Sequence, residues 1–187
     1  MSALARRVLL VAALLLAPRV AGAQEEESGG GTRLYLRLAA YFPADAEVRR
    51  AFGDVIPWPG IALVPAISPG RTRVYPRLEL FGARSSSSHF VVVPLTIAVE
   101  HQWHGTNGHF VPFAGVGAGV GYFDYKLHRN GQVMSTSRGG TLGDAEVGIV
   151  VSRALRLGAK YRLMQEMDGV TFGGSELGVV VGGFRVF

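Results

Sequence analysis

Cysteine is missing altogether from the 187 residues, which excludes a disulfide framework, a thiolate metal site and a cysteine nucleophile. Long apolar runs are missing too. After Ala23 no stretch approaches the roughly 20 residues of a membrane helix, so any membrane crossing must be made of strands. Nor is there much excess of one charge. Nineteen Lys and Arg oppose fourteen Asp and Glu, but Arg6, Arg7 and Arg19 lie within the first 23 positions, and without them sixteen oppose fourteen. A formal charge of +2 removes the main argument for nucleic-acid binding.

What is present begins with Arg6 and Arg7, an apolar run from Val8 to Ala17 and the small-x-small triplet Ala21-Gly22-Ala23. This is the pattern of a cleaved signal peptide, predicted over 1–23. A flexible periplasmic leader is expected at 24–32, rich in Glu, Ser and Gly, and one domain at 33–187. From Arg33 the hydrophobic period becomes two. Strands are expected at Arg33 to Phe42, Gly60 to Ile67, Thr72 to Ala83, His89 to His101, His109 to Leu127, Gly139 to Val151, Ala154 to Glu166 and Gly174 to Phe187. Asp45 is placed to cap a short helix through Glu47, Val48 and Phe52, ended by Gly53.

The connections alternate in length. Ser68-Pro69-Gly70, Gly105-Thr106-Asn107-Gly108 and Ser152-Arg153 read as tight turns. Pro43 to Pro59, His128 to Arg138 and Met167 to Gly173 read as longer loops, with Arg84 to Ser88 a shorter one. Eight strands with short turns at one end and longer loops at the other define an all-β fold, an eight-stranded antiparallel up-and-down transmembrane β-barrel with both termini on the periplasmic side. An exported chain of this kind belongs in the bacterial outer membrane, with its apolar faces toward lipid.

That orientation sends charge inward. Val91, Val93, Leu95, Ile97 and Val99 share one face and Thr96, Ala98 and Glu100 the other; Leu155, Leu157, Tyr161 and Leu163 likewise oppose Arg156, Lys160 and Arg162. The interior is therefore expected to hold Arg33, Arg37, Arg73, Arg77, Arg156, Lys160 and Arg162 against Glu79, Glu100, Asp144, Glu146 and Glu176. Eight strands leave an interior just wide enough for side chains to fill, so these charges are expected to pair as a plug. In HFVPFAGVGAGVGYFDYKL the residues Gly115, Gly117, Gly119 and Gly121 fall on the interior face, leaving room for arginines from other strands.

FVPFAGVGAGVGYF resembles the glycine-alternating strand of small outer-membrane barrels of the OmpA, OmpX and OmpW kind. RLYLRLAAYFP, LRLGAKYRLM and LGVVVGGFRVF resemble their first, seventh and last strands. The resemblance implies insertion by the outer-membrane assembly machinery, which reads the final strand, with Phe187 as the insertion signal. Arg185 departs from it, sharing parity with Val179, Val181 and Phe187; a position at the rim is the preferred explanation, and a bulge at Gly182-Gly183 the other.

Aromatics near strand ends suggest two interfacial girdles, Phe42, Trp58, Phe90, Phe123 and Tyr125 at the outer rim and Trp103, Phe110 and Phe187 at the periplasmic one. Pro76, Pro94 and Pro112 are expected at bulges or strand ends. His101, His104 and His109 cluster near Thr106 and Asn107, and His104-Gly105-Thr106-Asn107 faintly resembles the His-x-Ser-Asn motif of lipid A deacylases. That motif lies near the C-terminus in its family, whereas here it occupies a mid-chain periplasmic turn. The reading is a monomeric barrel without catalytic residue, cofactor or metal, whose partners are outer-membrane lipids, the assembly machinery and extracellular ligands at loops 43–59 and 128–138. The alternatives are a conduit for small hydrophobic molecules and a lipid-modifying enzyme.

Overall fold

The period-two segments become eight strands that close on themselves. In the computed structural model the described residues are 32–65, 70–104, 110–129, 132–152 and 155–185, those at 32–33, 62–65, 129 and 182–185 by their backbone alone. The proposed signal peptide, most of the leader, the residues 105–109 and Phe187 lie outside this set. The strands are β1 (Thr32–Pro43), β2 (Ile56–Pro65), β3 (Arg71–Arg84), β4 (His89–Gln102), β5 (Val111–Arg129), β6 (Gln132–Ser152), β7 (Leu155–Met164) and β8 (Gly174–Arg185). Each pairs antiparallel with the next, and β8 returns to β1. No edge strand is left unpaired.

Side-chain alternation is inverted relative to a water-soluble barrel. Along β7, Lys160 and Arg162 are 2% and 1% exposed, while Tyr161 and Leu163 are 48% and 64% exposed. The same holds on β1, where Arg37 is buried between the exposed Leu36 and Leu38. Burying cations while exposing leucines is the reverse of what water selects.

Three boundaries differ from the sequence expectation. The stretch 43–59 is mostly structured: α1 (Ala46–Phe52) follows β1, capped by Asp45 and ended at Gly53 with φ 98°, and β2 already begins at Ile56. Nor is 128–138 a loop. The β5–β6 ladder runs through Phe123↔Arg138 to Arg129↔Gln132, leaving only residues 130–131 between strands. Asn130-Gly131, a strong two-residue hairpin signal, marks this in the sequence. Finally, the β1–β8 register steps from Leu34↔Phe184 to Tyr35↔Gly182, so Gly183 is a bulge residue. The bulge shifts the parity of the positions after Gly183, and Arg185 pairs in register with Arg33 at the end of the ladder.

Prolines are accommodated within the ladders, with no register shift at Pro76 or Pro94. Pro76 pairs with Ile97, and Pro112 stands at the start of β5 opposite Ile149. Opposite Pro94 the β3–β4 ladder lapses between Leu78↔Leu95 and Phe81↔Val92, as the missing N–H requires.

Candidate functional site

The barrel interior is stacked in two levels, starting from the α1 end with an apolar cap. Tyr41, Trp58, Phe81, Phe90, Phe123 and Tyr125 all point inward and pack with Val48 of α1 and with Met167, Val170 and Phe172 of the β7–β8 connection. Trp58 lies on Phe81 with ring centroids 3.9 Å apart, and Phe172 sits 5.0 Å from both Phe90 and Tyr125. Trp58, Phe90, Phe123 and Tyr125 are therefore not an outer girdle: their parity is that of the buried face, and the helix and connection above give them an apolar partner. Trp103 and Phe110, at the opposite end, are exposed.

Hydrogen bonds strap this cap shut. The Tyr41 hydroxyl lies 2.5 Å and 2.9 Å from the carbonyls of Phe172 and Gly173. One Asp45 carboxylate oxygen accepts from the amides of Glu47 and Val48, and the other accepts from Thr171 N at 3.1 Å, so one side chain both starts α1 and ties it to the connection. Tyr125 donates to Asp168 at 2.6 Å, and Arg138 reaches the same carboxylate at 3.4 Å.

Below the cap lies an ionic belt. Glu79 receives Lys160 Nζ at 2.7 Å, Arg162 NH2 at 2.6 Å and Arg37 NH1 at 3.5 Å. Arg77 is paired with Asp144 and reaches Glu146 at 3.4 Å, which Lys160 meets at 3.3 Å. Glu176 pairs with Arg37 and, at 3.1 Å, with Arg162. Nearer the terminal end, Arg156 binds Glu100 at 2.7 Å, which also accepts from Tyr75 at 3.1 Å and Gln102 at 2.6 Å. Among the described residues the belt thus joins five cations (Arg37, Arg77, Arg156, Lys160, Arg162) to five carboxylates (Glu79, Glu100, Asp144, Glu146, Glu176). It is formally neutral.

Aromatic faces complete the cations' surroundings. The Arg156 guanidinium lies 4.2 Å from the Phe113 ring centroid and that of Arg162 4.8 Å from Phe81, distances at which the ring quadrupole attracts charge. Glycine supplies the room. A Cβ on Gly117 would stand 2.8 Å from Arg77 NH2 and 3.1 Å from Asp144 Oδ1, so the Arg77–Asp144 pair occupies the space that a side chain there would fill.

Of the residues expected inside, ten meet in this belt. Arg73 is half-buried and sits opposite Glu100 in register, and the side chain of Arg33 lies outside the described set. Tyr75 shares by parity the inward face of Arg73, Arg77 and Glu79 and joins the belt through Glu100; sequence reasoning passed over Gln102, although it has inward parity, and over Tyr41 and Asp168 as clasps. At the terminal end His101 Nδ1 is 2.8 Å from Thr72 Oγ1, and the His101 and Trp103 rings stand 4.8 Å apart. Thr106, Asn107 and His109 are outside the described residues.

A shallow groove of about 730 Å³ crosses the outer face, lined by apolar residues of β6, β7, β8, β1 and β2 that include Leu38, Pro57, Val147 and Leu177. Its floor is thin in side chains at Gly148, Gly158 and Gly178. Behind that floor stand Phe113, Glu146 and Arg37, so the groove backs onto the packed interior.

No family model matches the chain, and no curated protein matches it. Among solved structures it is similar to Neisserial surface protein A, with a TM-score of 0.49 and 13% identity over 84% of this chain and 99% of that one. It is also similar to the N-terminal β-barrel domain of Pseudomonas aeruginosa OprF, with a TM-score of 0.48 and 8% identity over 81% and 96%. A third is Ail, the attachment invasion locus protein of Yersinia pestis, with a TM-score of 0.48 and 14% identity over 81% and 96%.

Proposed function

We propose that the protein is an integral barrel of the bacterial outer membrane that acts as a closed scaffold and presents its α1 end to a surface or partner. One observation carries this: the same strands that expose leucine and valine outward bury a neutral set of ion pairs inward. An apolar belt of this extent on a single chain has a physical reason only if lipid or another apolar body covers it. Ion pairing inside supports a plug over a pore, because a conducting lumen is wet and polar, whereas these charges pair with one another and lie under an aromatic cap.

The surface offered outward is then α1 with the 44–55 segment, the β7–β8 connection and the tip of the β5–β6 hairpin. No catalytic, cofactor or metal role enters this reading, and it holds the barrel to be a monomer that the assembly machinery inserts through its last strand and Phe187. The test is gel mobility of detergent-extracted outer membranes with and without boiling, paired with conductance across planar bilayers. A heat-shifted band in that fraction, with no steady current, is expected. Recovery from the soluble fraction would overturn the membrane assignment, and a steady current would overturn the plug.

A further inference from the structure

We propose that the row Arg84, His89 and Lys126 binds the phosphate of an anionic lipid in the outer leaflet, an inference that rests on the membrane reading above. Arg84 pairs with His89 on the last rung of the β3–β4 ladder, and His89 pairs with Lys126 across β4–β5. Three basic side chains thus stand abreast on adjacent strands, about 4.8 Å from one to the next. All three have outward parity. The same face of β3 and β4 carries, closer to the barrel's middle, the exposed Leu80, Val91 and Leu95. The row therefore stands at the edge of the apolar belt, one level beyond Asp124, which pairs in register with Val91, and there headgroup phosphates lie when the belt is in lipid.

The row is also uncompensated and rigid. Among the described residues no carboxylate pairs with any of the three, whereas every belt cation has one. The nearest acid, Asp124, accepts from Ser137 Oγ at 2.6 Å, and Ser137 stands on β6, on the side away from His89. The β3–β4 tip is pinned by Ser85 N donating to the Ser88 carbonyl at 2.8 Å and by His128 N donating to Ser88 Oγ at 3.3 Å, which ties it to β5. Donors one strand apart, flanked by the Arg84 and Lys126 charges, suit the several acceptor oxygens of a phosphate monoester. A lipid, unlike free phosphate, also uses Leu80, Val91 and Leu95, along which its chains would lie.

The experiment compares retention of phosphatidic acid and of diacylglycerol by the full chain in phosphatidylcholine vesicles, after confirming that the chain floats with them. Phosphatidic acid should be held preferentially, the Arg84→Gln, Lys126→Gln double variant should weaken its binding about tenfold, the loss expected on removing charge-assisted contacts, and Arg50→Gln, on α1 away from the belt, should leave it unchanged. Equal retention by the double variant, an equal loss in Arg50→Gln, or displacement by millimolar inorganic phosphate would overturn the site. A chain that floats without discriminating the two lipids refutes this site alone; one that does not float refutes the membrane reading as well.

Discussion

Glu79→Gln removes one negative charge from the centre of the belt while keeping the side chain's shape. Glu79 is 5% exposed and receives Lys160 at 2.7 Å and Arg162 at 2.6 Å, with Arg37 at 3.5 Å and Arg77 at 3.9 Å. Without it, five interior cations face four carboxylates, and Lys160 keeps only Glu146 at 3.3 Å. Breaking a buried pair from one side costs about 3–5 kcal/mol, because the partner charge stays behind. With a urea slope of about 2 kcal/mol per molar, the unfolding midpoint should fall by roughly 2 M. The assay is equilibrium unfolding of detergent-folded protein followed by tryptophan fluorescence, for which Trp58, packed beside the belt, is a direct reporter. Adding Lys160→Met should restore neutrality and recover much of the loss. A midpoint unchanged within error in the single variant would refute the reasoning, since the carboxylate would then not be holding those cations.

Other substitutions test separate parts. Gly117→Ala should destabilise by about 1–3 kcal/mol through crowding of Arg77 and Asp144, whereas Gly139→Ala, where a Cβ meets nothing closer than 4.0 Å, should be near neutral in the same unfolding assay. Tyr41→Phe should cost about 1 kcal/mol and raise hydrogen exchange in the 165–173 connection; unchanged protection there would mean that the clasp is not what holds it. Asp45→Ala should lose about 1–2 kcal/mol and render the 44–55 segment sensitive to limited proteolysis, with the parent's digestion pattern as the contrary result.

Much of the fold was legible because two-residue parity separates the faces of a strand with no knowledge of its neighbours. Lys160 and Arg162 part from Tyr161 and Leu163 on β7 by parity alone. Phe90 shares the parity of Thr96, Ala98 and Glu100, so its inwardness was written in the strand; what parity does not carry is what covers these aromatics, and there α1 and Phe172, distant in sequence, arrive above them. The pairings within the belt were hidden for the same reason. Lys160 meets Glu79 across 81 positions, through register and barrel closure. The β5–β6 hairpin was a different failure: Ser135, Thr136 and Ser137 look like loop by polarity, yet they are strand that has left the apolar belt, and Asn130-Gly131 was the signal to weigh.

The central claim, apolar side outward and charge inward, is tested most directly by single cysteines along β7, which the cysteine-free chain permits without background. Fluorophores attached at Tyr161→Cys and Leu163→Cys in lipid vesicles should be quenched by quenchers carried on the acyl chains and spared by water-soluble iodide. Iodide quenching at both positions, with no effect from the lipid-borne quencher, would contradict the account.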